Sequence, residues 1–154
     1  MLKWCVQRWD ENKDKLREAI KERVASDEFS MCLDYDDLAE LISRHIFVSY
    51  GIPYTLLMTT GLRSDYQGSA CFIFGRNGND STDTDILMSR IYYGSCTVCD
   101  TIQAAGGNID DLMTIAKDIV TNTIKPFNSG WDHDSEFDEI VYEISEEDAN
   151  GESF

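Results

Sequence analysis

The sequence predicts an α+β fold: a single domain with about three helices packed on an antiparallel sheet of three to four strands. Three observations predict it. Apolar residues recur at helical spacing over 12–25, 34–49 and 108–125. Between the second and third of these, residues 54–93 alternate in the manner of strands and are punctuated by Gly- and Asn-rich turns. The 154 residues are 42% hydrophobic, with seven Tyr, seven Phe and three Trp, which suffices for one core and argues against global disorder.

The first helix is expected over 12–25, where Leu16, Ala19, Ile20 and Val24 share a face and ions of both signs solvate the others. Asp14–Arg17 and Glu18–Lys21 have the spacing of supporting ion pairs. A second helix starts at Asp34, whose carboxylate can accept from the Asp37 backbone N–H; Leu38, Leu41, Ile42, His45 and Ile46 form its apolar stripe, and Gly51 and Pro53 end it. Tyr54–Thr60, Ser69–Phe74 and Ile86–Tyr93 read as strands. Residues 61–68 form a hairpin loop between the first two. Arg76–Asp83 is a polar loop before the third. Gly94–Cys99 is a turn, Asp100–Ala105 a short helix, and Asn108 the N-cap of the last helix. Leu112, Ile115, Ala116 and Ile119 give that helix its apolar side, and Pro126 stops it. Ile140, Tyr142 and Ile144 alternate with Glu139, Val141 and Glu143, the pattern of an edge strand within 137–144. The chain thus divides into a charged helical segment (1–30), the α+β domain (31–144) and an acidic tail (145–154) expected to be mobile.

Charge is the most informative feature beyond the fold. The net charge is −16, and it is polarised. Residues 1–23 hold seven Lys/Arg against five Asp/Glu, whereas residues 126–154 hold ten acids and no base. Such a chain repels nucleic acid and acidic membranes and attracts the basic proteins that bind them. No apolar run approaches the ~20 residues of a membrane span. The start, Met1-Leu2-Lys3-Trp4, has neither an apolar signal region nor a small-residue cleavage site, so a cytoplasmic location is expected. Cys5, Cys32 and Cys71 stand singly among apolar neighbours, as reduced, buried cysteines do.

Chemistry-bearing motifs are few. Cys96 and Cys99 form a C-x-x-C between a strand and a helix start, where a redox pair or half a metal site would sit. Structural zinc needs four ligands, and no second pair lies at ligand spacing, so a compact packed turn is the expectation and no cofactor is assigned. Asp132, Asp134, Glu136, Asp138 and Glu143 imitate the spacing of a calcium loop, but Phe137 occupies the position that requires Gly. His45 is expected to be partly buried and hydrogen-bonded, and His133 sits among carboxylates. Arg76-Asn77-Gly78 lacks the Gly-Lys-Ser ending of a phosphate loop. No nucleophile has a recognisable base partner, so no catalytic residue is assigned.

The segment Tyr93-Gly94-Ser95-Cys96, followed by Cys99-Asp100-Thr101-Ile102-Gln103, resembles a family of small uncharacterised bacteriophage proteins sharing an aromatic-Gly-Ser-Cys-x-x-Cys-Asp-Thr-Leu-Gln stretch. Asp65-Tyr66-Gln67-Gly68 and the closing helix 111–124 are similar to that family too, so the resemblance spans about residues 35–127. It implies a phage accessory protein acting in a bacterial cytoplasm. It implies no activity, cofactor or catalytic residue, and the acidic stretch after Trp131 lies outside the shared pattern.

Three functions are weighed on these residues. The first is an inhibitor of a host nucleic-acid-binding defence protein, such as a CRISPR effector or restriction nuclease, that imitates nucleic acid. DNA carries one charge per about 1.7 Å of axis, and same-facing carboxylates on a strand stand about 6–7 Å apart. Asp132, Asp134, Glu136, Asp138, Glu139, Glu143, Glu146, Glu147 and Asp148 supply the row, with Trp131 as an apolar anchor. Asp34, Asp36, Asp37 and Glu40, or Asp110 and Asp111, extend it. The second is a scaffold that binds another partner without using charge. The third is a thiol or zinc protein built on Cys96 and Cys99.

Overall fold

The structure, a computed structural model, describes residues 1–26, 33–60, 68–77, 84–93 and 101–125. It is an α+β domain. In chain order the elements are α1 (Leu2–Ser26), α2 (Tyr35–His45), β1 (Val48–Ser49), β2 (Ile52–Pro53), β3 (Thr55–Thr60), β4 (Gly68–Asn77), β5 (Thr84–Tyr93), α3 (Thr101–Ala105) and α4 (Ile109–Thr121). β1 and β2 form a two-stranded antiparallel ribbon, and β3-β4-β5 form the main antiparallel sheet in sequence order. α1 packs on α2 and α4, α2 on β3, and α4 on β5, so the helices gather on one face of the sheet.

α1 starts ten residues before the expected helix. Trp4, Cys5 and Trp9 are buried with Leu16 and Ile20. The apolar stripe is interrupted at Asn12, whose side-chain amide donates to the Arg8 carbonyl at 3.1 Å. That gap hides the stripe's continuity from a periodicity count. Trp4 stacks on Phe47 at 6.1 Å and meets Tyr54 edge-on at 6.5 Å, so the N-terminal helix shares the core of the domain. Glu18–Lys21 pairs as expected, at 2.7 Å. Arg17 does not turn to Asp14 but crosses to Asp110 of α4, Nη1 to Oδ1 2.7 Å.

α2 opens as its sequence requires. Asp34 Oδ1 accepts from the Asp37 N–H at 2.8 Å, and the Asp37 carboxylate accepts in return from the Asp34 N–H at 3.4 Å, a capping box with Asp at its third position. The helix ends at His45, short of the expected 49. Phe47 is fully buried and packs edge-on against Phe74 at 5.0 Å; the chain then pairs Ser49 with Ile52 around a two-residue turn, Tyr50-Gly51. Tertiary contacts at Phe47 thus override four residues of helical periodicity.

The strands run where alternation places them and extend further. In β4, Ala70, Phe72 and Phe74 face the helices with no exposure, while Cys71 and Ile73 point to the opposite face. β4 reaches Asn77 and β5 begins at Thr84, so Arg76 and Asn77, expected in a loop, belong to a strand. A bulge at Leu57 shifts the β3–β4 register between Leu56 and Met58. Asn108 caps α4, accepting from Asp110 N at 3.0 Å and Asp111 N at 3.1 Å. The predicted set Leu112, Ile115, Ala116 and Ile119 is buried beneath it. After α4 the chain returns to the outer side of β5, where Ile124 and Met88 exchange backbone hydrogen bonds of 2.7 and 2.9 Å. The expected strand 137–144, the tail 145–154, the loop 61–67 and the turn 94–99 lie outside the described residues.

Candidate functional site

The described fold is nearly neutral. Its residues include thirteen Asp/Glu and twelve Lys/Arg. The remaining residues carry sixteen acids and one base, Arg63. The acidic set proposed from sequence (Trp131, Asp132, Asp134, Glu136, Asp138, Glu139, Glu143, Glu146 and Glu147), together with Cys96 and Cys99, lies outside the described residues. The acids expected to extend that row are largely engaged. Asp37 Oδ1 lies 3.0 Å from Arg23 Nη2 while its Oδ2 accepts from the Asp34 N–H; Glu40 pairs with Arg44 at 3.2 Å; Asp110 pairs with Arg17. Ion pairs across the fold thus engage Asp37, Glu40 and Asp110, which a charge pattern along the chain does not reveal.

The deepest polar arrangement joins four residues that sequence analysis did not bring together. Asp85 is 8% exposed and Arg76 9%. Asp85 Oδ2 accepts from the Tyr54 hydroxyl and from Arg76 Nη2, the latter at 3.3 Å. Asp85 Oδ1 lies 3.3 Å from Lys125 Nζ. The Arg76 guanidinium sits 5.4 Å from the Tyr54 ring centroid. One carboxylate thus serves two cations and a phenol in a nearly dry setting. The sequence held a signal: Arg76 is in phase with Phe72 and Phe74, and Asp85 with Leu87, Ser89 and Ile91, so both sit on the buried strand face.

The opposite face of the sheet is also apolar. Met58, Ile73 and Met88 align across β3-β4-β5 on that face, with Cys71, Ile86 and Tyr92 beside them. Met58 is 52% exposed and Tyr92 74%, and Leu57 and Ile124 also stand in solvent. Arg90 contributes a charge there and lies 5.1 Å from the Tyr92 ring. Strands apolar on both faces are those of sheets covered on both sides, yet the described helices cover one.

A third feature is a cleft of about 540 Å³ between α1, the last turn of α2 and the β1–β2 turn. Arg8, Lys15, Arg44 and His45 line it, with Glu11 and Tyr50. His45 is half-buried, as expected from its place on the stripe. Burial, then the positive charges of Arg44 and Lys15, hold its pKa below the ordinary imidazole value of 6.5, with Glu22 opposing. Elsewhere, burial pushes the Cys5 thiol up to about 12, so Cys5 is a packing group and not a nucleophile. Cys71, on the outer sheet face, is half-buried.

Among the described residues no three His, Cys, Asp or Glu side chains gather as metal ligands, and no helix is long and apolar enough to cross a membrane. Fold and surface together define a small α+β protein whose described residues are nearly balanced in charge, the acidic excess lying in the rest of the sequence. In comparison with known proteins, the chain matches no protein family, no curated protein and no solved structure.

Proposed function

We propose that the protein is a phage accessory protein that acts in the cytoplasm of the bacterial host. It binds a basic nucleic-acid-binding defence protein, a nuclease or CRISPR effector, and inhibits it through an acidic surface that imitates nucleic acid. Asp132, Asp134, Glu136, Asp138, Glu139, Glu143, Glu146 and Glu147 make that surface, and Trp131 anchors it. One observation carries the reading. The described residues set thirteen acids against twelve bases, whereas the 29 residues from Pro126 onward hold ten acids and no base. A chain that balances charge over one part of its length and leaves another stretch wholly anionic concentrates its long-range field there. The resemblance at Tyr93–Gln103 supports the phage setting.

The test is competition. Binding to candidate host nucleases should weaken steeply between ~0.05 and ~0.3 M salt, as the screening length shortens, and nucleic acid should displace the protein. Replacing the acids of 132–148 by Asn and Gln should abolish inhibition. Full inhibition by that variant defeats the reading.

The outer sheet face favours a second reading, a scaffold that binds a partner through apolar contact at Met58, Tyr92 and Leu57. Binding that is insensitive to salt and lost in Met58→Glu distinguishes it from the first.

A further inference from the structure

The turn Tyr50-Gly51 breaks its own rule. A two-residue hairpin turn with positive φ at both positions is the place of Asn-Gly, because a β-carbon is crowded there. Here Tyr50 takes φ 50° and Gly51 φ 78°, and Tyr50 is the non-glycine residue with positive φ among those described. Its ring is 62% exposed, so core packing does not repay the strained backbone. Local rules are broken most often at functional positions.

The ring stands at the rim of the cleft described above, and the cleft inverts the sign of the protein. In a chain of net charge −16, its lining brings Arg8 and Lys15 of α1 and Arg44 of α2 together against one carboxylate, Glu11. Each of these cations has a partner within its own helix, and Arg8 also lies 5.8 Å from the Trp4 ring centroid. Arg8 pairs with Glu11 at 3.1 Å, Lys15 Nζ donates to the Asn12 side chain at 3.2 Å, and Arg44 pairs with Glu40 at 3.2 Å. The exposed Arg44–Glu40 pair and the Lys15–Asn12 contact exchange readily for a stronger anion, with the less exposed Arg8 guanidinium fixed beside them. Gathering like charges from two helices beside His45 opposes folding, and an incoming dianion removes that opposition.

We propose that this cleft binds a small phosphorylated ligand of the mononucleotide class, its phosphoryl group between Arg8, Lys15 and Arg44 and its ring stacked on Tyr50. The volume, about 540 Å³, accommodates such a molecule. An exposed aromatic beside a cationic groove is the arrangement that takes a base by its face and a phosphate by its charge. The inference is independent of the inhibitory reading, since it uses none of the residues beyond Lys125.

The experiment is an NMR titration of His45, assigned by His45→Gln, in the full chain at constant ionic strength, with adenosine monophosphate, inorganic phosphate and adenosine as probes. Adenosine monophosphate should bind and raise the His45 pKa, because its dianion offsets Arg44 and Lys15. Inorganic phosphate should bind at least about tenfold more weakly and adenosine more weakly still. Lys15→Ala with Arg44→Ala should remove binding of both anions. Tyr50→Gly should raise thermal stability, since glycine takes this φ freely, while it removes the advantage of the nucleotide over phosphate. A His45 titration unmoved by adenosine monophosphate up to about 10 mM, roughly ten times the Kd of a ~1 mM site, overturns the proposal. So does equal affinity for nucleotide and phosphate, or nucleotide affinity unchanged in Tyr50→Gly.

Discussion

Lys125 Nζ lies 3.3 Å from Asp85 Oδ1, so the residue just before the anionic stretch is tied to a carboxylate that is almost wholly buried in the sheet. The same carboxylate holds Arg76 and Tyr54. Asp85 is therefore the point at which β2–β3, β4, β5 and the end of α4 meet.

Removing that carboxylate strands two cations. Asp85→Ala should destabilise the fold by about 3–5 kcal/mol, the cost of breaking a buried pair from one side. Lys125→Met, which deletes the more exposed partner and keeps the apolar stem, should cost about 1 kcal/mol. Urea unfolding of the two variants measures the difference. Equal, small losses would mean that water enters the cluster.

The N-terminal turns of α1 should be indispensable. Trp4 is fully buried between Phe47 and Tyr54, and a Trp→Ala change in such a site costs about 3–5 kcal/mol. Leu2, 43% exposed, should tolerate Ala within about 0.5 kcal/mol. Thermal unfolding of Trp4→Ala beside Leu2→Ala separates a core helix from an appended one.

Both helix caps should register individually. Asp34→Ala and Asn108→Ala each remove acceptors for backbone N–H groups, at about 0.5–2 kcal/mol apiece. Asp34→Asn should recover most of its loss. Denaturant midpoints read this directly.

His45 sets a pH dependence. Its folded-state pKa lies below the unfolded value of 6.5, so the folded protein binds fewer protons than the unfolded chain between the two values. Its contribution to stability is complete above pH 6.5 and is lost as pH falls through the folded-state pKa. His45→Gln should flatten this part of the stability profile relative to the parent protein. A profile unchanged by the substitution would place His45 in solvent.

Periodicity located most of the secondary structure, because capping and alternation are local. Asp34 and Asn108 mark their helix starts by side-chain chemistry alone, and the buried phase of β4 follows from Ala70, Phe72 and Phe74 being two residues apart. The misreadings share a cause. Residues 2–11 are helical because Trp4 finds Phe47 and Tyr54, which lie far along the chain, and Trp9 is buried on the same helix. α2 stops early because Phe47 is drawn into the core, and Arg76 left the loop assigned to it because Asp85 lies opposite.

The sequence by itself determined the α+β class, the helix caps, the strand faces and the polarised charge, since each depends on residue type and short spacing. Tertiary structure alone decided which charges remain available. It spent Asp37, Glu40 and Asp110 on internal partners, buried Arg76 with Asp85, and brought Arg8, Lys15 and Arg44 to one cleft beside Tyr50. Coulomb interactions between residues distant in the chain depend on separation in space and on local burial, neither of which is written in their order.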